Sequence, residues 1–174
     1  LMNNAGSDPL GSGREQNVAV LFSDIRNFTS FSETHTPGEV LDLLRKYHSR
    51  MVDSIFSHNG TLDKFIGDGI MATFGTPHAT AGDTENAVKA ALAMLNELTD
   101  FNREQEDNGL GKIAIGIGIH YGPVIMGNIG SEEQLEFTVI GDTVNIASRL
   151  ESATKELSVP ILISREVVEN LSDE

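Results

Sequence analysis

Two aspartates, Asp24 and Asp68, occupy positions from which carboxylates could bind a divalent metal ion. Asp24 directly follows an apolar, strand-like run, and Asp68 lies between Gly67 and Gly69 in the segment Thr61–Gly75. A Gly-Asp-Gly turn between two β-prone runs predicts a hairpin with Asp68 at its tip. Two carboxylates that meet at strand ends can bridge two Mg²⁺ ions about 3.5–4 Å apart, as in phosphoryl and nucleotidyl transfer. The plainer alternative is that Asp68 only forms the turn and Asp24 only caps the next helix.

A second polar pair, Asn145 and Arg149, is spaced four residues apart and therefore projects from one face of a predicted helix. The apolar residues Val144, Ala147 and Leu150 occupy the other side. Asn145 falls in the first turn, where backbone N–H groups and the helix dipole favour anions, and Arg149 adds a planar cation with several donors. The pair could hold a ribose and stabilise charge on a phosphate. Alternatively, it is an ordinary solvated helix face.

Lys64 is unusual because it lies inside an apolar strand, where simple alternation places it on one face with Leu62 and Ile66. A lysine in that position needs a partner, which could be Asp68 or a contact with another subunit. Thr138 lies in another predicted strand, where a β-branched residue needs no functional explanation.

Hydrophobic periodicity predicts the elements that must position these residues. Residues 1–16 are rich in Gly, Ser and Asn and are expected to be a linker, with one domain over residues 17–174. The order β-α-β-β-α-β followed by β-α predicts an α+β fold, a ferredoxin-like core with a C-terminal extension. The expected elements are a strand over 17–23, a helix over 37–58, the hairpin over 61–75, a helix that Asp83 or Thr84 caps, strands over 112–120 and 123–128 separated by a turn at 121–122, a strand over 137–140, a helix from 141, a strand over 159–163 and a helix that Ser164 caps.

Composition excludes several classes of function. The formal net charge of −14 argues against a nucleic-acid groove, which requires clustered Lys and Arg. The same charge means that a triphosphate ligand would need divalent cations for neutralisation. There is no cysteine, so thiol catalysis and zinc–thiolate sites are excluded, and no apolar run approaches the length that crosses a bilayer. The chain begins with Leu and is expected to be a fragment of a longer protein.

Three segments together resemble the catalytic domain of the class III adenylate and guanylate cyclases. They stand in that family's order and spacing, and the resemblance extends from about Asn17 to the C-terminal helix. They are Val20–Thr29 (VLFSDIRNFT), Asp63–Asp68 (DKFIGD) and Phe137–Leu150 (FTVIGDTVNIASRL).

The resemblance implies a role for each candidate residue. Two Mg²⁺ or Mn²⁺ ions are expected per active site, with Ca²⁺ as a further candidate at one position. The implied metal ligands are Asp24, Asp68 and the Ile25 carbonyl, and the backbone that continues through Phe28 and Thr29 would cradle the triphosphate. Asn145 would orient the ribose, and Arg149 would stabilise charge on the phosphates.

The resemblance also implies a site shared between two subunits of a head-to-tail homodimer, with an upstream sensor domain and a cytoplasmic location. Asp24 and Asp68 would come from one subunit, and Lys64, Thr138, Asn145 and Arg149 from the other. Lys64 donates and the Thr138 hydroxyl can accept, which complements adenine N1 and N6. Guanylate cyclases typically carry Glu in place of this lysine. The expected reaction is therefore the conversion of ATP to 3′,5′-cyclic AMP and pyrophosphate.

Two other functions are open for this chain, and its sequence departs from the family pattern in two places. A guanylate cyclase and a catalytically inactive nucleotide-sensing or dimerisation module are both open. A diguanylate cyclase is disfavoured because its Gly-Gly-Asp/Glu-Glu-Phe hairpin is absent. A lysine that contacts the triphosphate in this family, and the hairpin that carries it, would fall beyond Glu174. Asn27 replaces a glycine that is frequent in the family loop, and little consequence is expected.

Overall fold

A computed structural model describes residues 13–172 of the chain. Within that range, no helix is both long enough and apolar enough to pass through a membrane. Residues 1–12 of the expected linker lie outside the described residues. The elements are β1 (Arg14–Ile25), α1 (Phe28–Thr34), α2 (Pro37–Phe56), β2 (Thr61–Ile66), β3 (Gly69–Phe74), α3 (Asp83–Asp107), β4 (Ile115–Ser131), β5 (Gln134–Ile140), α4 (Asp142–Leu157), β6 (Ile161–Ile163) and α5 (Arg165–Glu169).

The sheet has the order β2-β3-β1-β4-β5, with every pair along this path antiparallel, and β6 pairs in parallel with β4. The first four strands have the ferredoxin-like arrangement that the element order predicts. β1 is central, and its residues 18–21 are completely buried because helices cover both faces of the sheet. The extension consists of β5, α4, β6 and α5, each of which overlaps an expected strand or helix.

The two faces of β4 are built differently. The isoleucines Ile115, Ile117 and Ile119 point into the larger core, together with residues of α2 and α3. Gly116 and Gly118 face α4, and a Cβ added at Gly118 would lie 2.6 Å from the Ala147 carbonyl oxygen. The glycines therefore allow the helix backbone to lie directly on the strand.

Local capping follows the sequence at some helix ends and departs from it at others. Thr36 and Glu39 form a capping box at the start of α2, and the Ser164 side chain caps α5 as predicted. The N-cap of α3 is Gly82, so neither Asp83 nor Thr84 caps it. The Asp83 carboxylate instead accepts hydrogen bonds from the backbone and hydroxyl of Thr80. These bonds hold the preceding loop against the helix.

The predicted elements differ from the observed ones in three main respects. β1 begins at Arg14, so residues 14–16 belong to the sheet and not to a linker; they are polar because their side chains are mostly exposed. β4 continues without interruption through Tyr121 and Gly122, where a turn was expected. Gly122 is needed there for another reason, because a Cβ at that position would lie 2.7 Å from Thr143 Oγ1. Helix α1, directly after β1, was not predicted.

A β-bulge in β2 changes the side on which Lys64 lies. Leu62 pairs with Ala72 and Lys64 with Met71, so Asp63 is an additional residue in the strand. Adjacent residues of β3 point to opposite faces, so Lys64 and Leu62 lie on opposite faces of the sheet. The prediction that Lys64 shares a face with Leu62 is therefore wrong, because the alternation was counted without the bulge.

Candidate active site

The structure brings Asp24 and Asp68 to the same end of the sheet. Asp24 is the second-last residue of β1, and Asp68 lies in the turn between β2 and β3. The Ile25 backbone N–H donates to Asp68 Oδ2 at 3.0 Å, which fixes the hairpin tip against the end of β1. The Asp68 carbonyl oxygen is 3.0 Å from His48 Nε2, so α2 supports the turn from its other side. Sequence reasoning had assigned no role to His48.

The electrostatics of this pair favour a cation. Partial burial and the neighbouring carboxylates of Asp68 and Glu151 together raise the pKa of Asp24 to about 7. Burial also raises the pKa of Glu151. Close carboxylates cannot all stay ionised cheaply without a compensating positive charge. The pair and the Ile25 carbonyl together supply oxygen ligands of the type that Mg²⁺ prefers, with remaining positions left for water and phosphate.

The described residues contain no cluster of three or more Asp, Glu, His or Cys side chains in a metal-binding arrangement. A site with only two carboxylates suits a catalytic Mg²⁺ ion. Mg²⁺ usually keeps several waters and binds substrate phosphates, so it does not need a cage made only of protein ligands. The residues present therefore fit a divalent metal ion such as Mg²⁺.

A cleft of about 420 Å³ opens beside the carboxylate pair. Asn27 adopts a left-handed conformation, with φ of 56°, at the start of α1. Asn tolerates this conformation better than most residues, so the chain can turn here without the glycine that is frequent in the family. The Arg26 guanidinium donates to the Val159 carbonyl oxygen at 2.6 Å and anchors the loop. The lining residues are Asp24, Ile25, Arg26, Asn27, Phe28, Thr29, Ser30, Asp68, Glu151, Ser152, Thr154 and Lys155.

Lys64 and Thr138 form a second polar group, which does not line this cleft. The Thr138 hydroxyl donates to both carboxylate oxygens of Asp63, at 2.9 and 3.0 Å. Lys64 Nζ lies 3.6 Å from Asp63 and 3.8 Å from Glu136 of β5. The lysine therefore pairs with these two acids, and the expectation that Asp68 could be its partner within the protomer is wrong.

Asn145 and Arg149 lie on α4, and both are exposed. Val144 and Ala147 of the same helix pack against the sheet, as the sequence predicts. Neither Asn145 nor Arg149 lines the cleft beside Asp24. The structure thus brings Asp24 and Asp68 together in one group and Lys64 and Thr138 in another, and leaves the α4 pair open to solvent.

The sequence did not single out Asp63, Glu136 or Glu151. Asp63 directly precedes a lysine in an otherwise apolar strand, and two successive charges in such a strand were a usable signal. The bulge that directs Asp63 toward β5 has no glycine or other sequence marker. Glu151 lines the cleft because the glycine face of β4 lets α4 approach closely, which is a tertiary effect.

Comparison with known proteins gives the family context. A family model described as "Adenylate and Guanylate cyclase catalytic domain" matches residues 10–174. An adenylate cyclase of Anabaena cylindrica is 42% identical over 167 residues, which cover 94% of this chain and 32% of that protein. The chain therefore spans less than two thirds of that relative's length.

Solved structures from both branches of the family are similar to this chain. The guanylyl cyclase Cya2 has a TM-score of 0.87 at 39% identity, covering 92% of this chain and 81% of that one. The adenylyl cyclase CyaB from P. aeruginosa has a TM-score of 0.86 at 35% identity, covering 91% and 81%. The two scores are almost equal although the two proteins are named for different bases, so overall similarity does not distinguish ATP from GTP.

Proposed function

Because the chain belongs to the adenylate and guanylate cyclase catalytic domain family, we propose that it is an adenylate cyclase catalytic domain that acts in signal transduction. The reaction is the conversion of ATP to 3′,5′-cyclic AMP and pyrophosphate. The observation that carries the choice of ATP is the Lys64–Thr138 pair, in which an ammonium donor stands near a hydroxyl whose proton is bound by a carboxylate.

Asp24, Asp68 and the Ile25 carbonyl would hold two Mg²⁺ or Mn²⁺ ions, with Ca²⁺ as a candidate at one position. Bound metal would lower the pKa of the ribose 3′-hydroxyl and neutralise negative charge on the triphosphate. Residues 25–29, including Phe28 and Thr29, line the cleft, and their backbone would hold the phosphates. Successive backbone N–H groups around a left-handed residue form an anion-binding concavity, which suits this task.

Asn145 and Arg149 would complete the site from a second protomer. Asn145 orients the ribose, and the Arg149 guanidinium stabilises the charge that develops on the phosphates as pyrophosphate leaves. Their exposure and their absence from the cleft of their own chain support a shared site. The assembly we propose is a head-to-tail homodimer with two equivalent sites.

An exposed apolar surface supports this dimer. It lies on β4, β5 and the end of β2, where large apolar side chains are between 36% and 59% exposed. By the β4–β5 register, Ile125, Ile129 and Ile140 share one face of the ladder, and Leu135 and Phe137 share the opposite face. Exposed large apolar side chains concentrated on neighbouring strands are typical of interaction sites. The residues are Phe65, Ile66, Ile125, Ile129, Leu135, Phe137 and Ile140.

The whole protein is also a matter for proposal, since the chain spans only 32% of its Anabaena relative. We propose that a sensor domain lies upstream of this domain and that catalysis takes place in the cytoplasm. A guanylate cyclase is the second candidate function, because the Cya2 structure is as similar to this chain as the adenylyl cyclase structure.

A turnover assay with ATP and GTP, in the presence of Mg²⁺ or Mn²⁺, tests the proposal. We expect cyclic AMP from ATP at a rate well above that of cyclic GTP from GTP. Asp24→Ala and Asp68→Ala should each abolish activity while the melting temperature in EDTA stays near that of the wild type. A preference for GTP would establish the second candidate, and full activity in either folded variant would overturn the metal assignment.

A further inference from the structure

Asp63 is a buried carboxylate that the reaction itself does not require. It is hydrogen-bonded to Thr138, one of the two residues proposed to recognise the base. Its side chain is only 5% exposed, and both of its oxygens accept from the Thr138 hydroxyl, at 2.9 and 3.0 Å. Thr138 is 6% exposed. We propose that Asp63 is a positioning residue that makes the Thr138 oxygen an acceptor only, and that it thereby sets the preference for adenine over guanine. This inference rests on the proposed function.

The Thr138 hydroxyl has a limited hydrogen-bonding capacity. A threonine hydroxyl has one proton to donate and lone pairs that accept, and it normally rotates to suit its partner. An ionised carboxylate can only accept. Asp63 therefore binds the one proton of Thr138, and only lone pairs of the Thr138 oxygen remain for a ligand. Lys64 Nζ, 3.6 Å from Asp63, offsets the buried negative charge and is itself only a donor.

The two purines present opposite patterns to such a pair. Adenine offers an amino donor at position 6 and an acceptor at N1, which match an acceptor at Thr138 and a donor at Lys64. Guanine offers an acceptor at O6 and a donor at N1, so a guanine in the same place would meet like groups at both positions. A freely rotating hydroxyl could turn and donate to O6, and Asp63 prevents that rotation. Burying a mispaired polar group costs free energy, so the site should bind adenine more tightly than guanine.

The β-bulge explains how Asp63 reaches Thr138. β2 and β5 stand at opposite ends of the strand path β2-β3-β1-β4-β5 and share no ladder. Asp63 is the additional residue between Leu62 and Lys64, and bulges re-aim side chains next to functional sites. The same insertion places Lys64 and Leu62 on opposite faces. One irregularity therefore sets the position of the donor and the state of the acceptor.

The alternative is that Asp63 only joins β2 to β5 for stability. The test is therefore the ratio of nucleotide affinities, which a purely structural contact would not change. The probes are 3′-deoxy-ATP and 3′-deoxy-GTP, which lack the attacking hydroxyl, so binding is measured even if the protein has no cyclase activity. Asp63→Asn keeps the shape and adds an amide that can donate to the Thr138 oxygen, which frees its proton.

We expect Asp63→Asn to reduce the ATP-to-GTP affinity ratio by at least about tenfold, equivalent to about 1.4 kcal/mol. Glu136→Gln is the matched control: it removes another carboxylate near Lys64, at 3.8 Å, but leaves the Asp63–Thr138 bonds in place. It should change the ratio by less than about twofold, the effect of a screened surface pair. An unchanged ratio in folded Asp63→Asn protein would overturn the proposal.

Variants at Thr138 keep the proposal testable if Asp63→Asn protein does not fold. Thr138→Ser retains the hydroxyl and should retain the ratio, whereas Thr138→Val should lower it. Asp63→Asn in the Thr138→Val background should lower the ratio no further, because its effect acts through that hydroxyl. The mechanism would be contradicted if Thr138→Ser and Thr138→Val gave the same ATP-to-GTP affinity ratio. It would also be contradicted if Asp63→Asn had its full effect on that ratio in the Thr138→Val background. If the protein shows no turnover but keeps its ATP-to-GTP affinity ratio, the cyclase proposal is rejected and the proposal for Asp63 is not.

Discussion

Asp24 illustrates how a single residue can be unfavourable in the metal-free fold. Its pKa is raised to about 7 by burial and by the carboxylates of Asp68 and Glu151. Between about pH 4 and pH 7 the folded protein therefore retains a proton that the unfolded chain has lost. Stability of the metal-free protein falls as the pH rises through this window. Asp24 is partly exposed to water, so the decrease in the free energy of unfolding is smaller than the pKa shift alone would give.

Metal binding should remove this loss of stability. A metal ion must displace the proton of Asp24, so stabilisation by Mg²⁺ should increase from pH 6 to pH 8. At a tenfold excess over its dissociation constant, Mg²⁺ should raise the melting temperature by about 3–6 °C at pH 8. Differential scanning calorimetry with Mg²⁺ or EDTA at each pH measures the difference.

Asp24→Asn provides the control for that experiment, because its amide neither titrates nor carries charge. The variant should show little Mg²⁺ stabilisation at either pH. Equal stabilisation of the wild type at pH 6 and pH 8 would contradict the link between metal binding and Asp24 ionisation.

The sequence identified Asp24 and Asp68 correctly as neighbours because strand ends and a hairpin tip can be read from local patterns. Their function as metal ligands stays a prediction. Asp63 was missed because its importance depends on a bulge and on a contact between residues 75 positions apart. Local pattern carries no information about such a pairing. Residues at turns were therefore predictable, and residues joined by tertiary contacts were not.

At the level of elements, α4 depends on the smooth glycine face of β4. A Cβ at Gly118 would lie 2.2 Å from the Glu151 backbone nitrogen and 2.8 Å from its Cα. Both are backbone atoms, so the helix as a whole would have to move. Arg149 and Asn145 lie on this helix, so their position depends on a strand residue that contacts no substrate.

Gly118→Ala should therefore reduce both stability and activity. We expect a loss of about 1–3 kcal/mol in the free energy of unfolding, which is typical of overpacking. The cyclase rate should fall further than that loss explains, because α4 is displaced while the protein is still folded. Urea denaturation and turnover at a temperature well below the melting point measure the two effects.

Gly38→Ala is the matched control, since a Cβ there would meet nothing within 4 Å. Gly38 lies in α2, where alanine is a better helix former, so that variant should be as stable as the wild type or slightly more stable. Unchanged stability in Gly118→Ala would show that α4 is not held by direct contact with β4.

Element types were predicted better than boundaries. The two long helices and the hairpin have strong periodic or turn signals, and the structure confirms them. The predicted break in β4 is wrong because Gly122 is present for contact with Thr143 and not for a turn. Glycine at a close backbone approach and glycine at a turn look the same in a single sequence.

At the level of the whole molecule, the proposed shared site can be tested by mixing two inactive variants. Asp68→Ala lacks a proposed metal ligand, and Arg149→Ala lacks the cation proposed to bind the phosphates. In an equal mixture, a heterodimer has one damaged site with both substitutions and one intact site. Random exchange should restore about a quarter of wild-type activity, since half of the dimers carry one good site of two.

The control for mixing is each variant incubated with wild-type protein that carries a distinguishable tag, which shows whether subunits exchange. Absence of recovery in a mixture that demonstrably exchanges would mean that each protomer forms its own site. Recovery that depends on total protein concentration would give the dimer affinity from the same data.

The bulge at Asp63 has a further consequence for the behaviour of the protein in solution. β2 and β5 are the two edges of the main strand path, and an exposed edge can recruit strands from other molecules and begin aggregation. Natural sheets protect edges with bulges, lysines and inward-pointing charges. β2 carries all three at Asp63 and Lys64. The residues assigned to base recognition therefore also protect the sheet from polymerising, so their replacement by apolar residues would reduce solubility as well as selectivity.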